Sequence, residues 1–376
     1  AGSAEDIYLA PDPDREGEAI AWHTADVLQK KGRRFHRVLF HELTKEGIQK
    51  AIAAPEELDR HKYEAQQARR ILDRLVGYQV SPLLWRKVKG GLSAGRVQTV
   101  ALRIICERER AIQAFVPQEY WSITAHLTVG EAPPFTAKLV KKGKEKLTIP
   151  DETAAQKILA ELQGRSFVVD KVQKKTVHKN PPPPFTTSKL QQEAIRRLRF
   201  TAKKTMMIAQ QLYEGIDIKG EGPVGLISYM RTDSTNISDL ALTEARNYIQ
   251  QTYGADFLPA EALKYTTRAV GAQEAHEAIR PTSVMRAPAA VKTFLSHDQF
   301  RLYQLIWQRF VACQMEAAVY DTLAVELEIP AKLHKYLFRA TGATLKFPGY
   351  LIVYEEAKDE DQKSEDESEN ARIPAG

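Results

Sequence analysis

The sequence predicts a multidomain protein of the α+β class. Its 376 residues are 43% hydrophobic and 27% charged, which is enough apolar material for more than one core. Segments with helical apolar spacing and segments with β-branched alternation occupy separate stretches of the chain, and consecutive prolines at 181–184 divide two of them. We therefore expect helical domains and a distinct β domain.

The composition indicates the setting of the protein. Cys106 and Cys313 are the only cysteines, and neither lies in a Cys-x-x-Cys pair, so neither a disulfide framework nor a zinc site is expected. No apolar run approaches the roughly 20 residues that cross a bilayer, and the N-terminal residues do not resemble a secretion leader. We expect a cytoplasmic protein that does not enter a membrane.

The N-terminal segment has the pattern of a small parallel-sheet unit. Residues 7–9 form a short apolar run typical of a strand, residues 18–30 have helical spacing, and residues 38–40 form a second apolar run. The pattern predicts strand, helix, strand in that order.

A basic helical region follows. Residues 63–76 have apolar positions at helical spacing with arginines between them, and Ser93 is the expected cap of a second helix with an apolar stripe from Val97 to Ile105. Residues 60–110 contain twelve Lys or Arg and only four Asp or Glu. This charge density suits a polyanion such as nucleic acid, although a solvated helix face explains the charge alone equally well.

The pattern then alternates between strands and helices. Strands are predicted at 120–129, 135–140 and 166–177, and again at 320–329, 335–340 and 350–354. Helices that open on Ser or Thr are predicted between them, at 188–199, 201–213, 238–253 and 296–316. The similar composition of the two strand groups predicts that the helical segment is inserted into one β domain.

The net charge of +6 conceals an acidic loop near the end of the chain. Residues 355–369 contain nine acidic residues and two lysines, so the remainder of the chain is strongly basic. The last residues follow no helix-stop or strand-end pattern, and we expect the chain to be a piece of a longer polypeptide.

An acidic cluster comes directly after the first predicted strand. Asp12, Asp14 and Glu16 follow the carboxyl end of that strand, where α/β sheets bind ligands, and their oxygens suit a hard cation such as Mg²⁺. The alternative is an acidic helix N-terminus, which explains Glu16 and Glu18 but neither aspartate. Magnesium binding is therefore the preferred hypothesis.

A second cluster contains a possible nucleophile. A buried strand at 225–228 is predicted to lead into a polar turn in which Tyr229 lies two residues before Arg231. A guanidinium can hold a phosphate and favour the phenolate over the phenol. Taken alone, this short pattern is more often a core tyrosine beside a surface arginine.

Two further motifs suggest phosphate binding. His276 and Arg280 are expected on one helix face, where both could contact a phosphate. A zinc protease is excluded because the second histidine of its motif is absent. The alternative is that His276 is an ordinary core histidine. Residues 90–98 nearly match a P-loop but have Arg96 and Val97 in place of Lys and Ser or Thr. ATP is therefore not expected, whereas Arg96, Gln98 and nearby backbone amides suit a nucleic-acid phosphate.

Taken together and in order, these motifs resemble the bacterial type IA DNA topoisomerases. Residues 12–23 resemble the acidic Toprim signature, and residues 67–70 and 85–98 resemble the family's DNA-binding helices. Residues 228–234 and 276–281 resemble its tyrosine and histidine motifs. The resemblance extends over nearly the whole chain.

The resemblance implies a partial Toprim α/β unit, helical DNA-binding domains and a β gate domain in a toroid-like arrangement. The implied domains are a partial Toprim domain at 1–57, a helical DNA-binding domain at 58–116, the first part of the β gate domain at 117–185, a helical domain with the active-site tyrosine at 186–316, and the second part of the gate domain with the acidic loop at 317–376.

The resemblance also implies a reaction and a set of site residues. The reaction is ATP-independent cleavage and resealing of single-stranded DNA through a 5′-phosphotyrosyl intermediate, which relaxes negative supercoils; the partner is single-stranded or underwound DNA of the nucleoid. The catalytic residues implied are Tyr229, Arg231, Glu16 and His276. Mg²⁺ is held by Asp12, Asp14 and Glu16. The DNA-binding residues implied are Arg69, Arg70, Asp73, Tyr78, Arg96, Gln98, Ser228, Asp233 and Arg280.

Two alternatives remain open at this point. The family's first Toprim strand, with its glutamate and lysine, and the segment that closes the ring are not found in this sequence. A truncated, cleavage-impaired chain that only binds single-stranded DNA is therefore the main alternative. A Toprim nuclease or primase shares the acidic cluster but explains neither Tyr229 with Arg231 nor the order of the motifs.

Overall fold

The structure is a computed structural model that describes residues 4–131, 133–265, 277–330 and 335–356. The chain divides into two compact units. The first comprises Ala1–Pro117, Gln210–Thr232 and Ala275–Glu277, and the second comprises Gln118–Ala209, Asp233–Glu274 and Ala278–Gly376.

The secondary structure follows the mixed pattern that the sequence predicts. The helices are α1 (Arg15–Leu28), α2 (Lys45–Ala53), α3 (Arg60–Lys87), α4 (Gln98–Gln113), α5 (Glu152–Leu162), α6 (Thr187–Glu193), α7 (Ala202–Glu214), α8 (Asp239–Tyr253), α9 (Pro288–Val291) and α10 (His297–Ala312). The strands are β1 (Asp6–Leu9), β2 (Arg34–Arg37), β3 (Thr124–Leu127), β4 (Phe135–Lys142), β5 (Glu145–Lys146), β6 (Val168–Lys179), β7 (Ile216–Ile218), β8 (Gly222–Val224), β9 (Ala318–Pro330) and β10 (Lys335–Phe347).

In the first unit, β1 and β2 pair in parallel with α1 between them, as predicted. The predicted position of the second strand at 38–40 is wrong, because β2 ends at Arg37. Pairing Asp6 with Arg34 fixes this register, and an ion pair between their side chains (2.6 Å) accompanies it. Val38 is the buried residue that follows the strand, and its N–H still reaches Leu9 O at 2.9 Å.

The basic region is helical, but its boundaries differ from the prediction. Helix α3 extends well beyond 63–76 and continues past Pro82 to Lys87. The predicted cap at Ser93 is wrong: α4 begins after Val97 with no side-chain cap, and Ser93 instead accepts a hydrogen bond from the side chain of Gln98. The apolar stripe of α4 lies exposed on this unit.

The second unit is built on an antiparallel sheet with the strand order β3-β4-β10-β9-β6, and β5 pairs with β4. Strands from before and after the helical segment therefore share one sheet, as predicted. Helix α5, which the sequence analysis missed, packs on this sheet. The core between them comprises Ala137, Leu139, Ile149, Ala155, Ile158, Leu327, Ile329, Tyr336, Phe338 and Ala340.

The prediction of a strand at 350–354 is wrong. Gly349–Ile352 is a 3₁₀ turn that begins with Gly349 at φ 49°, a backbone conformation that favours glycine. An added Cβ there would lie 2.5 Å from two backbone oxygens, so the chain turns sharply where the sequence pattern suggests extension.

The four helices predicted between the two groups of strands are present, as α6, α7, α8 and α10; the last residues of α7 belong to the first unit. Helix α6 continues as a π-helical turn to Leu198 and ends at Arg199, the one non-glycine residue with positive φ among those described. Helix α10 opens with a capping box in which Ser296 and Gln299 bond each other's backbone N–H groups. Among the described residues, no helix is long and apolar enough to span a membrane.

Candidate active site

The acidic cluster of Asp12, Asp14 and Glu16 lies where β1 leads into α1, as predicted. This segment, and not the one at 355–369, is called the acidic loop below. Asp14 caps α1 by accepting a hydrogen bond from Gly17 N–H through Oδ1 at 2.8 Å. A Cβ added to Gly17 would lie 2.0 Å from the carbonyl oxygen of Asp12, so only glycine allows this close turn. The turn fixes Asp12 and Asp14 at the carboxyl end of a strand.

Tyr229 is held in the same unit by backbone pairing with the segment after β2. Tyr229 N–H donates to His41 O at 2.8 Å, and Gly225 N–H donates to Leu43 O at 3.1 Å. The predicted strand at 225–228 is wrong, since β8 ends at Val224, but the segment is buried as predicted. These two hydrogen bonds join the Tyr229 segment to the residues that follow β2.

The tyrosine and the acidic loop are in direct contact. Tyr229 Oη donates to Asp14 Oδ2 at 2.8 Å, and Arg231 Nη1 lies 3.4 Å from the same oxygen. The two motifs are 215 residues apart in the sequence. A possible nucleophile, a carboxylate and a guanidinium therefore meet at one oxygen atom.

The surroundings of Tyr229 raise the pKa of its phenol above the ordinary value. Burial is the main cause, followed by the hydrogen bond to Asp14 and the negative charges of Asp14 and Asp12. The positive charge of Arg231 lowers the pKa of Tyr229, as the sequence predicts, but burial and the two aspartates raise it by more. The phenol is therefore protonated at neutral pH and needs a proton acceptor, and Asp14 is its hydrogen-bond partner.

The charge of Asp12 is incompletely compensated. Burial and the neighbouring Asp14 raise the pKa of Asp12, Glu214 adds to the effect, and Arg231 opposes it. Among the described residues, no three Asp, Glu, His or Cys side chains form a group close enough to hold a metal ion. Mg²⁺, however, commonly takes one or two protein carboxylates and completes its shell with water and phosphate oxygens, so Asp12 and Asp14 fit such an ion.

The carboxylate of Glu16 lies beside arginine side chains. Its carboxylate lies 3.4 Å from Arg69 and 4.0 Å from Arg15, and all three side chains are partly exposed. The hydrogen bond of Tyr229 goes to Asp14 and not to Glu16. The roles predicted for Glu16 in metal binding and proton transfer remain predictions.

Six of the predicted DNA-binding residues of the first unit lie on α3, α4 and the loop between them, and the seventh, Ser228, precedes Tyr229. Arg96 pairs with Asp73 at 2.7 Å, and Arg69 lies 4.0 Å from the same carboxylate. Ser81 Oγ accepts from Ala94 N–H at 3.0 Å, which holds the loop against α3. Arg70, Tyr78 and Gln98 are exposed, whereas Ser228 is buried.

The remaining predicted residues belong to the second unit or lie outside the described residues. Asp233 is exposed and Arg280 is buried, with its guanidinium 3.4 Å from Ser238 Oγ. The predicted helix through Arg280 is wrong, because Ile279 pairs with Phe185 in an extended bridge. His276 lies outside the described residues.

Several residues of the site were not predicted from the sequence. Tyr213 packs edge-on against Tyr229 with ring centroids 5.3 Å apart, and its hydroxyl donates to Phe40 O at 2.9 Å. Glu214 adds a negative charge near Asp12, and burial lowers the pKa of His41. No local motif identifies these residues, because each acts through a tertiary contact.

Comparison with known proteins identifies the class. A family model described as DNA topoisomerase matches residues 57–375, and one described as Toprim domain matches residues 1–43. The chain therefore belongs to the DNA topoisomerase family, within its bacterial type IA branch. The resemblance drawn from the sequence is confirmed, as is its Toprim unit.

A solved structure supports this assignment. Full-length topoisomerase I from Thermotoga maritima is similar to 96% of this chain, with 41% sequence identity and a TM-score of 0.76. The match covers 57% of that protein, so this chain spans little more than half the length of its relative.

Proposed function

We propose that this chain carries the DNA-cleaving centre of a type IA topoisomerase, with Tyr229 as the nucleophile. The observation that carries the proposal is the 2.8 Å hydrogen bond from Tyr229 Oη to Asp14 Oδ2. It joins the tyrosine motif to the acidic Toprim motif, in a chain that belongs to this family. A tyrosine that served only the core would not need a carboxylate of the acidic loop as its partner.

In the proposed cleavage step, Tyr229 Oη attacks a phosphorus atom of single-stranded DNA. The new bond is a 5′-phosphotyrosyl ester, the bond from phosphorus to the 3′ oxygen breaks, and that oxygen becomes a hydroxyl by receiving, through water, the proton that Tyr229 gives up. The phenolic proton passes to Asp14 Oδ2, its existing hydrogen-bond partner. The reverse step reseals the strand, and no ATP is needed because the ester conserves the bond energy.

Arg231 is proposed to stabilise the negative charge that develops on the phosphate. Its side chain is 57% exposed and lies beside the Tyr229 hydroxyl, through the shared contact with Asp14. A guanidinium in this position can donate to a phosphate oxygen while that oxygen gains charge.

Asp12 and Asp14 are proposed to hold Mg²⁺, with Glu16 as a further candidate ligand. When bound, the ion supplies neutralisation of phosphate charge near the reacting centre. The raised pKa of Asp12 supports this role, because a cation relieves the repulsion between the two aspartates.

The substrate is proposed to be single-stranded or underwound DNA. Exposed arginines of α3 and the following loop suit its phosphates, and the exposed ring of Tyr78 suits a base. The same proposal includes the relaxation of negative supercoils and the roles that the resemblance implies for Asp233, His276 and Arg280.

The test is to trap the covalent complex. Single-stranded oligonucleotides are incubated with Mg²⁺ and the protein, the mixture is denatured, and the adduct is measured on a gel. Wild type is expected to form an adduct and Tyr229→Phe to form none, while Tyr213→Phe, which alters the nearest phenol, still forms one. Binding of DNA without an adduct by the wild-type chain would contradict the proposal.

A further inference from the structure

Arg37, at the end of β2, is a buried arginine beside the acidic loop. Its side chain is 1% exposed, and its donors are directed at the backbone around the acidic loop. Nη2 donates to Asp12 O at 2.7 Å, and Nη1 is shared among Pro11 O at 2.9 Å, Val38 O at 2.9 Å and Leu9 O at 3.2 Å. One guanidinium therefore holds three carbonyl groups between the end of β1 and the first aspartate.

The charge of Arg37 is balanced by Glu18 on α1. Arg37 Nε donates to Glu18 Oε2 at 2.8 Å, and the other carboxylate oxygen accepts from Asp59 N–H at 2.8 Å. The carboxylate is 2% exposed. Arg37 therefore connects the strand on one side of the acidic loop to the helix on the other side.

The carbonyl group of Asp12 is confined from a second direction, by Gly17. Gly17 packs so closely that a Cβ there would lie 2.0 Å from Asp12 O. Asp12 O thus lies between the Arg37 guanidinium and the first turn of α1. A small movement of Arg37 would displace the Asp12 backbone and, through the turn, the Asp14 carboxylate that contacts Tyr229.

We propose that Arg37 is a positioning residue, which acts through the backbone of Pro11 and Asp12 to fix the carboxylates of Asp12 and Asp14. The inference rests on the proposed function, in which Asp12 and Asp14 hold Mg²⁺ and Asp14 accepts the proton of Tyr229. The planar guanidinium of arginine has five N–H donors in fixed directions and can hold several carbonyl groups at once, whereas the single ammonium group of lysine cannot. Buried partners of ligating side chains commonly change metal affinity about 10-fold to 100-fold when they are altered.

The test compares Arg37→Lys with Arg309→Lys. Arg309 is also buried (2% exposed) and also donates to a backbone carbonyl, Pro183 O at 2.6 Å, but it belongs to the second unit. The first measurement is the affinity for Mn²⁺ alone, from the free-ion signal in electron paramagnetic resonance. The second is hydrogen exchange of the peptide covering residues 9–17.

Arg37→Lys is expected to weaken Mn²⁺ binding about 10-fold or more and to speed exchange in residues 9–17, whereas Arg309→Lys changes neither. A folded Arg37→Lys protein with wild-type Mn²⁺ affinity and wild-type exchange would overturn the proposal. If Arg37→Lys does not fold, the double variant Arg37→Met with Glu18→Leu replaces it, because apolar residues can substitute for a buried ion pair. Failure of both to fold also overturns it, since the pair would then serve the fold of the unit as a whole.

These results separate the inference from the proposed function. A wild-type chain that binds no Mn²⁺ or forms no DNA adduct contradicts the proposed chemistry. Hydrogen exchange of residues 9–17 needs neither metal nor DNA and still decides whether Arg37 fixes the loop.

Discussion

Tyr229 and its partners show why individual residues of the site are sensitive to their surroundings. Its phenol is kept protonated by burial and by two aspartates, so reactivity depends on the transfer of one proton to Asp14 and on charge stabilisation by Arg231. Arg231 can be substituted without removing the hydrogen bond between Tyr229 and Asp14, so its contribution can be tested separately.

Removing the guanidinium at position 231 is expected to slow cleavage without preventing it. Arg231→Gln should lower the rate of adduct formation about 100-fold, since loss of one donor to a developing oxyanion typically costs this much. Arg231→Lys retains the positive charge but lacks the planar guanidinium, so its rate of adduct formation should lie between those of wild type and Arg231→Gln. Single-turnover rates on a labelled oligonucleotide measure the effect, and equal rates for all three proteins would exclude the role.

Asp12 and Asp6 are expected to change stability with pH in opposite senses. The raised pKa of Asp12 means that its charged form destabilises the folded chain and that protonation relieves this effect. Hydrogen bonds from Arg34 and His36 lower the pKa of Asp6 to about 2, so its charged form stabilises the folded chain. Stability from Asp6 is present above the ordinary Asp pKa of about 3.9 and is lost as the pH falls towards 2.

Thermal unfolding across a pH series tests this contrast. Asp12→Asn is expected to unfold at a higher temperature than wild type at neutral pH, with the gain shrinking as the pH falls through the Asp12 pKa. Asp6→Asn is expected to unfold at a lower temperature, with the loss disappearing at acidic pH. A lower unfolding temperature for Asp12→Asn than for wild type at neutral pH would show that the charge of Asp12 does not destabilise the folded chain.

At the scale of elements, the segment that carries Tyr229 depends on close packing at Gly225. A Cβ there would lie 2.7 Å from Tyr213 O and 3.1 Å from Leu43 O, both backbone atoms. Gly225→Ala is therefore expected to cost about 1–3 kcal/mol in the free energy of unfolding, as overpacking does. It should also reduce adduct formation, because it shifts the backbone that holds Tyr229.

Gly90→Ala is the matched control. No atom lies within 4 Å of a Cβ at Gly90, so alanine should leave stability unchanged or raise it by about 0.4–1 kcal/mol through the unfolded chain. Chemical denaturation of both variants measures the difference. Equal stability of the two variants would show that the segment around Gly225 adapts to an added methyl group.

The elements also show which parts of the fold the sequence predicts well. Helices with periodic apolar faces, such as α8 and α10, lie close to their predicted positions, although only α10 of these two has a side-chain cap. The apolar triplet at 38–40 was misassigned because local hydrophobicity does not reveal register, which the pairing of Asp6 with Arg34 fixes. Burial at 225–228 was predicted correctly, but its extended backbone pairs through tertiary contacts and not as a strand.

At the scale of the whole molecule, the motif order predicts the family, and contacts distant in sequence determine the site. The strands on both sides of the helical segment share a sheet, as their composition predicts. No pattern in the sequence predicts that Asp14, rather than Glu16, bonds Tyr229, or that Arg37 reaches the acidic loop. These contacts depend on side-chain geometry after folding.

The charge distribution of the whole chain predicts a salt-dependent affinity for single-stranded DNA. Each phosphate contact should contribute a slope of about −0.7 in a plot of log affinity against log salt. Arg70→Gln should reduce the slope by about that amount and weaken binding to all sequences alike, whereas Arg165→Gln on the second unit should not. Fluorescence anisotropy with a labelled oligonucleotide measures the slope, and a slope near zero would contradict phosphate binding.

Tyr229, hydrogen-bonded to Asp14, is proposed to attack DNA and to retain the 5′ phosphate of the cleaved strand. The most direct measurement is mass spectrometry of the tryptic peptide from a trapped adduct, combined with oligonucleotides labelled at the 5′ or the 3′ end. We predict a nucleotide attached to Tyr229 through a 5′ phosphate, with the 3′-end label retained on the protein. An adduct on another residue, or one that retains the 5′-end label, would contradict the account.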